Sequence, residues 1–214
     1  MGKVALVAGA TGLIGNQLLN LLLSDDYYSK IIAISRKELP VRHERLQNII
    51  SELDQLALHA DQLKAEDVYC CLGTTIRKAK TKEAFLKVDV EAPLALAAIA
   101  HSKGAKHFML VSALGADPRS SIFYNRAKGE VEERLKKVGF ESLYFFRPSL
   151  LLGPRLEKRS GEDAAKLFYR WLGFLIPKKY QAIESIKVAR AMIANAKAAK
   201  PGNHILESSE LQAY

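Results

Sequence analysis

At 214 residues, with 49% hydrophobic and 26% charged side chains, the chain is long enough to bury a substantial core and has the balance of a soluble globular protein. No apolar run reaches the roughly 18–20 residues of a membrane span, and no charged-then-apolar leader opens the chain, so a cytoplasmic location and no membrane span are expected. The net charge of +9 admits anionic partners, but the basic residues are scattered and no helix-turn-helix, zinc-finger or RNA-binding-strand pattern gathers them, which argues against nucleic acid. Cys70 and Cys71 are adjacent, and no His or Cys stands at zinc-site spacing around them, so neither a disulfide framework nor a metal is expected.

The chain opens with a short apolar run, Lys3 to Ala8, followed by Gly9-Ala10-Thr11-Gly12-Leu13-Ile14-Gly15. This pattern predicts a strand that turns directly into a helix. The unpaired backbone N–H groups at the start of such a helix form a seat for a pyrophosphate. Gly9 permits the sharp turn, Gly12 leaves room for the phosphate, Gly15 lets the helix lie close to the sheet, and Thr11 adds a hydroxyl. The spacing is Gly-x-x-Gly-x-x-Gly, so an ordinary glycine-rich connection without a ligand is the competing reading.

Leu13 to Leu23 carries apolar residues at 14, 18, 21 and 22, one face of a helix packed on a sheet. Ile31 to Ile34 is a continuous apolar run, as in a parallel strand buried on both faces. It leads into Ser35-Arg36-Lys37, about 20 residues beyond the glycine turn, where a dinucleotide fold reads the adenosine ribose. An acid there would select NAD. A small hydroxyl, a guanidinium and an ammonium group suit the 2′-phosphate of NADP(H), although Arg36 and Lys37 also read as solvated loop charges.

Gln47 to Leu53 predicts a third strand and Leu56 to Leu63 a connecting helix. Asp67 to Leu72 predicts a fourth strand ending at Gly73-Thr74-Thr75, where a glycine lets a ligand approach the backbone. Lys82 to Ala100 reads as a long helix kinked or broken at Pro93. A fifth strand, Lys106 to Val111, closes with Ser112. The alternation predicts an α/β protein with a doubly wound parallel sheet of Rossmann type and its ligand site at the strand carboxyl ends.

Beyond Ser112 stands Tyr124-Asn125-Arg126-Ala127-Lys128, opening a helical segment from Arg126 to Val138. The i, i+4 spacing puts the tyrosine and lysine on one helix face. A phenol with a pKa near 10 is a poor acid-base catalyst at neutral pH, and a nearby ammonium moves it towards the working range. Ser112 is placed to donate a hydrogen bond to a substrate carbonyl oxygen.

These runs, with Cys70-Cys71-Leu72-Gly73-Thr74-Thr75, Phe146-Arg147-Pro148 and Gly153-Pro154, resemble the short-chain dehydrogenase/reductase superfamily over almost the whole chain. Within its atypical branch, the Cys-Leu-Gly-Thr-Thr run and the stretch from Tyr124 to Glu132 are similar to the Tat-interacting-protein type of oxidoreductase. The resemblance implies that Tyr124 is the proton donor or acceptor, that Lys128 is its partner and a ligand of the nicotinamide ribose, and that Ser112 polarises the carbonyl. It implies cofactor contacts from Gly9, Thr11, Gly12, Leu13, Ile14, Gly15, Ser35, Arg36, Leu72, Gly73, Thr74, Tyr124 and Lys128. Two departures stand out: Asp89 occupies the place where many relatives carry an asparagine, and Ser51 to Asp54 lacks the acidic-then-apolar pair that often meets adenine.

Ser142 to Arg147 predicts a sixth strand, Ile186 to Ala198 a helix and Asn203 to Glu207 a late strand. Leu167 to Ile176 is an apolar, aromatic-rich stretch that reads as a core helix, as a pocket wall, or as a homodimer or membrane-surface patch beside Lys178-Lys179. One domain spanning 1–214 is expected, with 155–214 forming a small substrate-side region. The expected function is NADP(H)-dependent reduction of a carbonyl or oxidation of an alcohol. The alternatives are an NADPH-sensing protein without turnover and, below it, a nucleotide-sugar epimerase-like enzyme.

Overall fold

The computed structural model describes residues 2–153, 177 and 180–214. The aromatic-rich stretch Leu167 to Ile176, Pro154 and the pair Lys178-Lys179 lie outside the described residues. Seven strands build the main sheet: β1 (Lys3–Ala8), β2 (Tyr28–Ser35), β3 (Leu46–Ile50), β4 (Asp67–Cys70), β5 (His107–Val111), β6 (Ser142–Arg147) and β9 (Gly202–Glu207). Their order is β3-β2-β1-β4-β5-β6-β9, with every neighbouring pair parallel. A two-residue pair, β7 (Leu151–Leu152) and β8 (Ile183–Glu184), lies apart from it.

The order reverses between β1 and β4, so the crevice of a doubly wound sheet opens at their carboxyl ends. Alternation within strands sends side chains to two cores. Ala5 and Val7 of β1 join Met109, Tyr144 and Phe146 under α1 (Leu13–Leu23) and a later helix, Ser185–Ala198. Leu6 and Ala8 join Val68, Phe108, Leu110 and Phe145 on the other face.

Four helical segments lie between β4 and β6: α2 (Ile76–Ala79), α3 (Lys82–Leu86), α4 (Ala92–Ser102) and α5 (Phe123–Leu135). After β8 come α6 (Ser185–Ala198) and α7 (Ser208–Leu211). The irregularity expected at Pro93 lies just ahead of it. A π turn, Lys87–Glu91, joins α3 to α4 without leaving helical backbone, and Pro93 follows it as the second residue of α4. The segment after β3 is a 3-10 helix, Leu53–Gln62, and starts three residues earlier than expected. Helix α5 also starts earlier, so both Tyr124 and Lys128 are helical.

Candidate active site

The glycine turn sits at the reversal point of the sheet. Gly9 has a φ of +86°, and a Cβ there would lie 2.6 Å from the Cys71 carbonyl oxygen, so only glycine fits. A Cβ on Gly15 would fall 2.1 Å from the Gly9 oxygen, which explains how α1 can start so close to the turn. Thr11 and Gly12 are exposed, Leu13 is half-buried, and the Ile14 side chain belongs to the core, leaving Ile14 only its backbone for a ligand. No side chain caps α1 and its first turn carries no acid. Its first N–H groups and the positive end of its dipole therefore fit a pyrophosphate.

At the end of β2, the Ser35 hydroxyl donates to the Lys37 carbonyl at 2.7 Å and accepts from Asn48 Nδ2 at 2.8 Å. Its single proton is directed inside the turn, where Ser35 shapes the loop. Arg36 is exposed and forms no ion pair or side-chain hydrogen bond among the described residues.

One face of α5 carries Tyr124, Lys128 and Glu132 at successive four-residue steps. Lys128 Nζ lies 2.7 Å from Asp89 Oδ1, with side-chain exposures of 4% and 1%. Burial opposes the lysine charge, but the Asp89 carboxylate outweighs it, and the ammonium is held above its ordinary pKa. Asp89 Oδ2 accepts from the Thr74 N–H at 2.8 Å, tying the loop after β4 to the π turn. Gly73 covers the pair: a Cβ there would come 3.5 Å from Asp89 Oδ1 and 4.0 Å from Lys128 Nζ. Leu72 is half-buried against the core on the same loop.

Glu132, buried one turn beyond Lys128, is gripped by Arg147 through Nη2 at 2.6 Å and Nε at 3.0 Å. Arg147 also reaches Glu207 of β9 at 3.1 Å. The Ser112 hydroxyl donates to Glu132 Oε1. The one hydroxyl proton of Ser112 is thus directed at α5, and Ser112 is not among the residues lining the neighbouring cavity. Strand parity accounts for the direction of Ser112. Phe108 and Leu110 face the core under α5, and Ser112 continues their alternation. Glu132 and Arg147, also overlooked as a pair, could have been found from the four-residue repeat beyond Lys128.

Tyr124 lies at the mouth of this arrangement. A cavity of about 310 Å³ is lined by Ala113, Leu114, Tyr124, Pro148, Ser149, Leu150 and Tyr180. The Tyr124 ring packs on Phe85 of α3, with centroids 5.7 Å apart. The residue after Ser112, Ala113, lines this cavity with Tyr124, and it brings no hydroxyl. The Ser149 hydroxyl donates to the Gln181 carbonyl and accepts from Ser208. Burial pushes the Cys70 thiol up to about 12, which leaves it unreactive at neutral pH.

A parallel sheet of this order with a glycine turn at its reversal point defines a dinucleotide-binding α/β protein of Rossmann type. The chain belongs to the NAD dependent epimerase/dehydratase family, whose model matches residues 5–171. It is 37% identical over 215 residues to Protein HTATIP2 of Rattus norvegicus, covering 99% of this chain and 87% of that protein. It is 34% identical over 180 residues to Protein fmp52, mitochondrial, of Emericella nidulans, covering 81% of this chain and 77% of the relative.

Among solved structures, MoeE5 in complex with UDP-glucose and NAD superposes with a TM-score of 0.75 at 22% identity, over 96% of this chain and 75% of that one. UDP-glucose 4-epimerase from Thermotoga maritima gives 0.72 at 16%, over 95% and 76%. At these identities the likeness is one of fold. The family makes this an NAD(P)-binding, oxidoreductase-like protein of the short-chain dehydrogenase/reductase kind. Among the described residues no helix is long and apolar enough to cross a membrane. The fungal relative is named mitochondrial and lends no support to a cytoplasmic location.

Proposed function

We propose that the chain is an NADP(H)-dependent oxidoreductase that reduces a small-molecule carbonyl, or oxidises the corresponding alcohol, with Tyr124 as the proton-transferring group. The observation that supports this most directly is the face of α5, which presents Tyr124 to a cavity and buries Lys128 one turn behind it. The N-terminal turn of α1, from Gly9 to Gly15, receives the pyrophosphate, and the free guanidinium of Arg36 receives the 2′-phosphate. When bound, the nicotinamide supplies the hydride that forms the new C–H bond in reduction. Tyr124 gives its hydroxyl proton to the carbonyl oxygen as the C=O π bond breaks, with Lys128 one helical turn behind it. Ser112 and Arg147 position rather than react: through Glu132 they fix the register of α5 against β5 and β6.

A second reading, an NADPH-responsive binding protein without turnover, draws support from the commitment of the Ser112 and Ser149 hydroxyl protons to internal acceptors. The two readings part on one substitution. With NADPH and a panel of carbonyl substrates, Tyr124→Phe is expected to lower turnover by about 10²–10⁴-fold at unchanged NADPH affinity. Equal turnover by the variant removes Tyr124 from the mechanism, and no turnover by either protein, with NADPH bound, favours the binding role.

A further inference from the structure

Asp89 differs from the asparagine that the resemblance led us to expect, and its surroundings give the difference a consequence. The carboxylate is 1% exposed and makes two contacts, one to the Lys128 ammonium at 2.7 Å and one to the Thr74 N–H at 2.8 Å. It sits in a π turn, a rare interruption of helix that is frequent at functional sites. The titratable groups facing Lys128 are Asp89 from the π turn, Tyr124 from its own helix and Cys70 from β4, and the thiol is neutral at ordinary pH.

We propose that Asp89 is a positioning residue that cancels most of the charge Lys128 presents to Tyr124. The inference rests on Tyr124 being the proton-transferring group. The physical reason is the field of the pair. An isolated ammonium a few ångströms from a phenol favours the phenolate strongly, whereas an ion pair acts on it only as a dipole, whose field falls off faster with distance. Lys128 remains available to orient ribose hydroxyls by hydrogen bonds, because a carboxylate partner occupies only part of its three-proton head.

The test needs no substrate, so its outcome is separable from that of the oxidoreductase reading. Tyrosinate absorbance is titrated for the unmodified protein and for Asp89→Asn, each against the same protein with Tyr124→Phe, so that the difference isolates one of the eight tyrosines. Tyr124 is expected to ionise about one pH unit lower in Asp89→Asn. An unchanged or higher midpoint overturns the proposal.

An amide in place of the Asp89 carboxylate keeps an oxygen for the Thr74 N–H but leaves the buried Lys128 ammonium without its counter-charge, so the single variant can fail to fold. The double variant Asp89→Asn with Lys128→Met then replaces an ion pair by two neutral groups. Its Tyr124 midpoint is expected within about half a pH unit of the unmodified protein. A rise of about one unit or more shows that Lys128 acted as a net cation and overturns the proposal. Where turnover is measurable, the alkaline fall in reduction rate is expected to move to lower pH in Asp89→Asn by the same amount.

Discussion

Asp67, at the amino end of β4, and Asp89, in the π turn beyond its carboxyl end, are both buried carboxylates held by short polar contacts, yet their surroundings differ. Asp67 takes the Tyr28 hydroxyl at 2.6 Å, lies 2.6 Å from His107 Nδ1 and meets Lys3 at 3.4 Å. Tyr69 extends the chain by a hydrogen bond of 2.7 Å to Tyr28. These residues open or lie within four adjacent strands, and both tyrosine rings are fully buried. Asp89 instead pairs with a cation one helical turn from a tyrosine that faces a cavity, beneath a glycine. A buried carboxylate sealed by hydroxyls holds strands together, and one that shares a lysine with an accessible phenol can tune chemistry. Burial and short contacts alone do not separate the two cases; what the partner touches next does.

The comparison can be broken at several points. Asp67→Ala leaves the Tyr28 hydroxyl and the His107 nitrogen without their acceptor, and is expected to cost about 3 kcal/mol in urea unfolding while leaving NADPH affinity unchanged. A loss of cofactor affinity in the folded variant would show that the amino edge is coupled to the site. At the carboxyl edge, Arg36→Asp is expected to weaken NADPH binding by about tenfold or more and NADH binding far less, narrowing or reversing the preference. Equal effects on both nucleotides would move the 2′-phosphate contact elsewhere.

A smaller effect concerns alkaline pH. Burial, with the neighbouring Tyr69 and Asp67 charges, pushes the Tyr28 phenol above its ordinary value, and burial does the same for Tyr69. Both groups then hold protons more tightly folded than unfolded. The stability they confer is complete below about pH 10 and is lost as pH rises past it, because the unfolded chain releases those protons first. The urea midpoint should therefore fall above pH 10, and fall less steeply in Tyr28→Phe. The slope should not vanish, since Lys128 is also raised and loses its contribution in the same direction. An identical slope in the variant would remove Tyr28 from the alkaline transition.

Local constraints made most of this fold readable. Gly9 and Gly15 are dictated by a positive φ and a backbone approach within a few residues, and buried parallel strands such as β2 and β6 write themselves as apolar runs. The Tyr124 and Lys128 pair was legible because helical spacing alone sets it. The direction of Ser112 was harder, because it depends on which face of β5 the later helix α5 covers, a tertiary fact that the alternation of Phe108 and Leu110 only half records. Asp89 was visible as a departure, but its partner was not. A π turn adds one residue to the hydrogen-bond spacing without any mark in composition, and Asp89 meets Lys128 from within it. The partners of Ser35 were hidden for a similar reason: its acceptor lies in the turn and its donor on β3, 13 residues away.

The assignment of the carboxyl edge as an NADP(H) seat is tested most directly by calorimetric titration of the unmodified protein with NADPH and with NADH. The free Arg36 guanidinium and the open turn from Gly9 to Gly15 predict a single saturable site that binds NADPH at least about tenfold more tightly than NADH. Equal dissociation constants, or no binding of either nucleotide, would contradict it.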